Sequence, residues 1–416
     1  MGNDAFCAGM GEYLQKNCRK KLNFSDKSCT INIMCGSAIL AGRLTSDDRQ
    51  QEVRELSTVL DQIEYKVRNG IRLTREDGIA LFKSNDLARI GALADEVRKK
   101  MTGDDVYFNV NRHVNLTNIC TSLCKFCAFG CEKDSKKSYA MTKEDAIALA
   151  ERSVKDPALR EFHIVSAMHP DWPYEYYVDI LRTFRDKFPQ IHRKAFTGVE
   201  IQHFVKISGK SVREVLADLK EAGLQSMPGG GAEILCDRIR NLLCPNKATA
   251  DEWLEVHRQA HRMGIKTNTS MLYGHIETVE ERVDHMLRLR ELQDETGGFR
   301  NFIPFPFQPN NTALEDTITR TTVWDDLRTI AISRLMLDNF KYIKAYWVML
   351  TLPVAQLALG FGANDLDGTV SEERIMHAAD VKSSKSLSSD NLVEAIRQAG
   401  RVPVERDSEY NVVQRY

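Results

Sequence analysis

Between residues 106 and 370 the chain repeats one local pattern, a short strand-like run followed by a helix that opens on a Ser/Thr-x-x-Asp/Glu box. The first run, "VYFNVNRHVN" (106–115), alternates Val106, Phe108 and Val110 against Tyr107, Asn109 and Asn111, the period of a strand. Further runs follow at "EFHIVSA" (161–167), "RKAFTGV" (193–199), "LQSMPGG" (224–230), "KTNTSMLYG" (266–274), "NFIPFPF" (301–307), "KAYWVML" (344–350) and "NDLDGTV" (364–370). Capping boxes stand between most of them, at Thr142/Asp145, Ser211/Glu214, Thr249/Glu252, Thr278/Glu281 and Thr322/Asp325. In one helix Val212, Val215, Leu216 and Leu219 make an apolar stripe, with Gly223 at the C′ position. About eight strands alternating with helices predict an α/β chain folded as a (β/α)8 TIM-type barrel. A doubly wound open sheet is the alternative, and no Gly-x-Gly-x-x-Gly after the first strand supports it. In a barrel, chemistry sits at the C-terminal ends of the strands and in the loops after them.

The flanks read differently. Residues 1–47 mix four cysteines with Gly and Lys/Arg without a clean period and are expected to be a poorly ordered extension. Residues 48–102 read as helices packing on the barrel, with Thr74/Asp77 as a capping signature and Ile79, Ala80, Leu87, Ile90, Leu93 and Val97 on helical faces. The barrel is expected over 103–371, and a C-terminal helix with an extended tail over 372–416. A net charge of −1 gives no reason to expect nucleic acid or an anionic membrane as partner. No run of roughly 18 apolar residues exists, so no membrane-spanning helix is expected. The stretch Ile31–Gly42 is broken by Asn32, Cys35 and Ser37, and Asp4, Glu12 and Asp26 precede it, unlike a secretory signal. A cytoplasmic protein is expected.

Directly after the first strand comes "NICTSLCKFCAFGCEKD" (118–134), with Cys120, Cys124, Cys127 and Cys131. Ten cysteines in 416 residues are too few for a disulfide scaffold, and clustering points to metal or catalysis. A structural zinc site wants four ligands, commonly in two separated pairs, and no distant Cys-x2-Cys exists to pair with this one. Electron-transfer clusters also take four cysteines. Three thiolates on one loop suit a [4Fe–4S] cluster with one iron left open for a ligand, in which case Cys131 is a bystander; as a fourth ligand Cys131 would close the site.

Cys120-x3-Cys124-x2-Cys127, with Phe126 just before the last cysteine, resembles the signature of the radical S-adenosylmethionine superfamily, whose members carry this loop after the first strand of full or partial barrels. The resemblance implies that the open iron chelates the amino and carboxylate groups of S-adenosylmethionine, which reduction cleaves to methionine and a 5′-deoxyadenosyl radical. In "NTSMLYGHIET" (268–278), Leu272, Gly274 and Glu277 resemble the fifth-strand motif beside the adenine, although Ser270 stands where glycine is usual. With "HPDWP", "NKATADEWLEVHRQAHRMGIKTN", "LYGHIETVEERVDHMLRLRELQDETGGF", "ETGGFRNFIPFPFQP" and "KAYWVMLT", the chain from about residue 50 to its end is similar to the aminofutalosine synthase family of menaquinone biosynthesis. Dehypoxanthine futalosine cyclase and the halves of the deazaflavin chromophore synthase are the alternative relatives.

That resemblance implies a transferase that adds the 5′-deoxyadenosyl radical to 3-[(1-carboxyvinyl)oxy]benzoate and forms 6-amino-6-deoxyfutalosine. It also implies a small-molecule substrate and an electron donor such as flavodoxin or ferredoxin. Cys120, Cys124 and Cys127 are expected to hold the cluster; Phe126, Ser166, Asn268 and Gly274 to contact S-adenosylmethionine; and His169 and Glu200 to serve as catalytic groups. The substrate's two carboxylates need cationic partners, for which Arg112, Lys194 and Arg238 are candidates by position. The "GGG" at 229–231 lacks a following Lys-Ser/Thr and is read as a close backbone approach at a strand-to-helix turn, not as a P-loop.

Overall fold

The computed structural model describes residues 58–416, so the extension expected over 1–47 lies outside the described residues. The strands are β1 (Asp105–Asn109), β2 (Asn111–Val114), β3 (Glu161–Ile164), β4 (His192–Ala195), β5 (Ser226–Met227), β6 (Lys266–Tyr273), β7 (Phe299–Pro306), β8 (Tyr342–Ile343), β9 (Asp365–Gly368), β10 (Val402–Arg406) and β11 (Val412–Arg415). Strands β2 to β8 form a curled parallel sheet in sequential order, each strand followed by a helical crossover except where β8 leads into two short helices. The gap between its two edges is bridged by the β9 segment. Ala345 donates its N–H to the Asp365 carbonyl at 2.8 Å, and His113 donates to the Ser371 carbonyl at 2.9 Å. The fold is therefore the α/β barrel that the alternation of strands and helices predicts.

Residues 106–115 read as one strand but serve two sheets. β1 pairs in parallel with β9 and β10, β10 pairs antiparallel with β11, and β2 opens the barrel sheet. The chain from Val402 onward thus adds strands to β1. The segment 344–350 departs from its strand reading: the strand is only Tyr342–Ile343, and helices cover Trp347–Leu350 and Leu352–Ala358. Trp347, Val348, Met349 and Leu350 are all buried, and an uninterrupted apolar run has no period to tell a buried helix from a buried strand.

The capping boxes at Thr74, Thr142, Ser211, Thr249 and Thr278 form with both reciprocal bonds, whereas Thr322 only accepts from the Asp325 N–H. The helix Val212–Ala222 buries Val215, Leu216, Leu219 and Ala222, and ends on Gly223 at φ 116°. Burying one such leucine contributes about 1.5–3 kcal/mol, and truncating it to alanine costs about 2–5 kcal/mol.

Side chains on a strand alternate between faces, so residues in register on parallel neighbours point the same way. His113, His163 and Lys194 are in register across β2, β3 and β4, with Asn111, Glu161 and His192 two residues earlier. Lys194 Nζ lies 2.7 Å from Glu161, and Ser408 Oγ donates to the same carboxylate at 2.6 Å. Arg406 likewise donates to Asp365 at 2.9 Å. The N-terminal half of the barrel interior is closed by paired charges, and the open volume lies above it.

Candidate active site

The loop that follows β2 is tied down by its own asparagines. Asn115 donates from Nδ2 to the Val165 carbonyl (2.9 Å), and Asn118 donates to the Lys137 carbonyl (2.9 Å) while accepting from the Tyr139 N–H (2.8 Å). Main-chain bonds from Cys120 N–H to Cys131 O (3.0 Å) and from Cys131 N–H to Asn118 O (2.9 Å) close its base. Cys131 is thus a buried closing residue and stands apart from the cavity, whereas Cys120, Cys124 and Cys127 all line it.

The three lining thiols suit a cluster better than a single ion. Among the described residues no three His, Cys, Asp or Glu side chains converge as ligands of one metal would. A four-iron cluster instead takes each thiolate on a different iron, so its ligands stand apart around a loop. Cys120 Sγ accepts the Ser122 N–H (3.4 Å) and Cys127 Sγ accepts the Gly130 N–H (3.3 Å). Burial pushes the Cys127 thiol up to about 11, so metal must displace its proton. Cys120, Cys124 and Cys127 are the residues that would hold a [4Fe–4S] cluster.

Beside the loop sits a group the sequence reading missed. Cys244, a free thiol buried at the end of helix Asp237–Leu243, is hydrogen-bonded to the thiol of Cys124. Lys247 pairs with Glu233 at 2.6 Å and lies 5.1 Å from the Phe126 ring centroid; burial lowers its pKa, but the Cys124 and Glu233 charges outweigh that and raise it. It is therefore a charged lysine against the face of an aromatic ring.

Of the residues expected to contact S-adenosylmethionine, Phe126, Ser166 and Asn268 line the cavity; Gly274 does not. Ser166 Oγ accepts the Thr117 N–H (3.1 Å), which ties the end of β3 to the cluster loop. Gly274 forms the turn after β6 at φ 89°, its N–H held by Glu277 at 2.6 Å. Gly229 lies so close to β6 that a Cβ would stand 2.4 Å from the Thr269 Cα, which accounts for glycine there.

The two residues expected to be catalytic lie outside the cavity lining. His169 stacks on Trp172 with centroids 4.5 Å apart and accepts the Asp171 N–H on Nδ1. Glu200 is the N3 residue of a capping box with Thr197 that opens helix Gly198–Ser208. Its other oxygen accepts the Ser166 N–H (2.9 Å), and burial pushes its carboxyl up to about 7.

Nor do the three cations expected to meet substrate line the cavity. Arg112 faces Glu372 at 3.7 Å, Lys194 is spent on Glu161 beneath the open volume, and Arg238 is held by Glu281 at 2.6 Å on the surface. The lining cations are Lys247 and Lys344. Lys344 follows β8 and is bonded to Asp367 of β9, a lysine set in the apolar run "KAYWVML". That break in an apolar strand end was the available signal.

Two family models match the chain: the radical SAM superfamily over residues 114–289, and the CofH/MqnC C-terminal region over 296–415. The chain is 46% identical to aminodeoxyfutalosine synthase of Streptomyces coelicolor, covering 85% of this chain and 94% of that one. It is 46% identical to aminodeoxyfutalosine synthase of Thermus thermophilus, covering 84% and 95%. A 5-amino-6-(D-ribitylamino)uracil–L-tyrosine 4-hydroxyphenyl transferase of Archaeoglobus fulgidus is 42% identical, covering 77% and 92%. Among solved structures, methylornithine synthase PylB matches with a TM-score of 0.65 at 18% identity over 82% of this chain and 97% of that one. The hydrogenase maturase HydG matches at 0.66 and 15% identity over 86% and 80%. These two likenesses are of fold.

Proposed function

Since the chain belongs to the radical SAM superfamily and, within it, to the aminodeoxyfutalosine synthase family, we propose that it joins the 5′-deoxyadenosyl group of S-adenosylmethionine to 3-[(1-carboxyvinyl)oxy]benzoate. The observation that carries this reading is the 46% identity to two such synthases over 94% and 95% of their lengths. A [4Fe–4S] cluster on Cys120, Cys124 and Cys127 supplies, when bound, the reductive cleavage of S-adenosylmethionine to methionine and the 5′-deoxyadenosyl radical. The radical adds to the enol-ether double bond; aryl migration and loss of the carboxylate carbon, which takes up one water and leaves as bicarbonate, give 6-amino-6-deoxyfutalosine once the initiating electron has been given back. An external one-electron donor such as flavodoxin or ferredoxin starts the cycle.

The chain's own residues bind, orient and exclude water. Phe126 and the close-packed Gly229–Gly231 turn offer flat surfaces for the adenine. Leu272, Ile303, Phe305 and Phe307 form an apolar wall that keeps water from a radical. Glu200 works from outside the cavity lining as a positioning carboxylate, fixing the Ser166 main chain and through it the loop. His169 braces Trp172 outside the cavity.

The 42% identity to a 4-hydroxyphenyl transferase favours a second reading, in which tyrosine and 5-amino-6-(D-ribitylamino)uracil are the substrates. Anaerobic turnover with each substrate set separates the two. Consumption of the enolpyruvyl benzoate alone supports the synthase; consumption of tyrosine alone contradicts it.

A further inference from the structure

The floor of the cavity, below the loops, carries polar groups that neither the cluster nor the paired charges account for. His113 on β2 is 6% exposed, and its buried Nε2 has no hydrogen-bond partner among the described residues. It stacks flat on His163, with ring centroids 4.4 Å apart and an interplanar angle of 7°. Two strands round the barrel, Lys344 is 1% exposed and bonded through Nζ to Asp367, which leaves two of its three N–H groups unused. Tyr346, two residues further on, lines the same cavity, and its hydroxyl has no partner among the described residues. Burial raises the pKa of Tyr346 well above the usual value, so that hydroxyl stays a donor. Lys344, Asp367 and His113 thus form an arc across β8, β9 and β2.

An arc of unfilled donors is built for an acceptor. A desolvated polar group without a partner costs about 1–3 kcal/mol, and His113 Nε2 is such an atom in the lining, beside the spare N–H groups of Lys344 that a ligand acceptor would fill. Every carboxylate in the lining is already matched: Glu233 by Lys247, Asp367 by Lys344, and Glu373 by His377 at 2.8 Å together with N–H bonds from Ile375 and Met376. No lining carboxylate is left to attract a ligand cation. The spare donors are the Lys344 ammonium, the Tyr346 hydroxyl and the one N–H of the neutral His113 ring.

We infer that Lys344, His113 and Tyr346 bind the ring carboxylate of an aromatic acid substrate, with Asp367 as the positioning residue that holds the Lys344 ammonium. This rests on the benzoate reading above and names the part of the chain that selects for it. The ring carboxylate sits on the floor, so the enol-ether carbons point up toward the cysteine loop. The apolar wall of Ile303, Phe305 and Leu272 flanks the aromatic ring. A substrate with an amide in place of that carboxylate would lose the charge-assisted bond to Lys344.

The test compares the enolpyruvyl benzoate with its ring carboxamide in the reconstituted enzyme. Wild type should favour the acid by about 10- to 100-fold in kcat/KM, as one charge-assisted hydrogen bond implies. The paired variant Lys344→Met/Asp367→Asn removes both charges without stranding either. It should raise KM for the acid about 10- to 100-fold, erase the preference for acid over amide, and leave KM for S-adenosylmethionine within about twofold. Tyr346→Phe deletes a hydroxyl that no described residue uses, so its fold is secure; it should raise KM for the acid about 3- to 10-fold and leave the amide unchanged. An acid preference that survives in both variants, or a wild type without one, overturns the inference. A wild type that consumes tyrosine and leaves both benzoates intact defeats the synthase reading itself, a separate and recognisable result.

Discussion

Glu200 Oε1 accepts the main-chain N–H of Ser166 at 2.9 Å, while Ser166 Oγ accepts the N–H of Thr117 at the root of the cysteine loop. A buried carboxylate that caps its own helix therefore also fixes the loop that carries the cluster thiols. Its other oxygen is filled by Thr197, with the main-chain N–H and the hydroxyl both at 2.7 Å.

That carboxyl makes stability depend on pH. It titrates at about 7 in the folded protein against an ordinary 4.5, chiefly because burial disfavours the charge. Between those values the folded chain keeps a proton that the unfolded chain has lost. The contribution is complete below about pH 4.5 and is lost as pH rises through 7, a change of up to about 3 kcal/mol. Glu200→Gln should therefore be less stable than wild type near pH 5 by about 1–2 kcal/mol, since Thr197 loses an acceptor. The gap should narrow or invert by pH 8. Denaturant unfolding at the two pH values checks it, and a constant gap would contradict it.

The four loop cysteines should separate by iron content. Cys131 contributes main-chain bonds at the loop base, and its thiol is outside the cavity. Cys131→Ser should retain wild-type iron and sulfide after reconstitution. Cys120→Ser, Cys124→Ser and Cys127→Ser should each lose most of both, because soft thiolate sulfur is the ligand that the cluster iron selects over a hard alkoxide oxygen.

Lys194 is a structural cation beneath the cavity. Removing one partner of a buried pair strands the other, here Glu161, whose carboxyl the lysine holds far below the usual range against its own burial. Lys194→Met should cost about 3–5 kcal/mol in unfolding free energy. KM for either substrate should stay within about twofold, which steady-state kinetics at low temperature can read.

Gly229 has no space for a side chain, since a Cβ would lie 2.4–2.6 Å from main-chain atoms of Thr269. Gly229→Ala forces β5 and β6 apart. The expected loss is about 1–3 kcal/mol, seen as a fall in thermal midpoint, together with weaker S-adenosylmethionine binding. A variant with wild-type stability would contradict the packing argument.

The barrel was legible because its signals are local. Strand alternation and capping boxes depend on neighbours within four residues, and Gly223 and Thr278 sit where the chain pattern placed them. The cysteine spacing was local too. What escaped were features that only the closed barrel brings together. Cys124 and Cys244 are 120 positions apart in sequence, and nothing near Cys244 marks it. Lys194 and Lys344 look equivalent as single lysines at strand ends, yet the first is turned onto Glu161 and stays out of the cavity lining, whereas the second is part of that lining. The helical turn at Trp347–Leu350 was hidden by its own uniform burial.

The adenosyl group is expected to end in the product. The measurement that meets it directly is mass spectrometry of an anaerobic reaction containing reductant, enolpyruvyl benzoate and S-adenosylmethionine labelled with carbon-13 in the ribose. The label should appear in a species larger than 5′-deoxyadenosine, formed in step with methionine. Label found only in free 5′-deoxyadenosine, with the benzoate consumed or untouched, would contradict it.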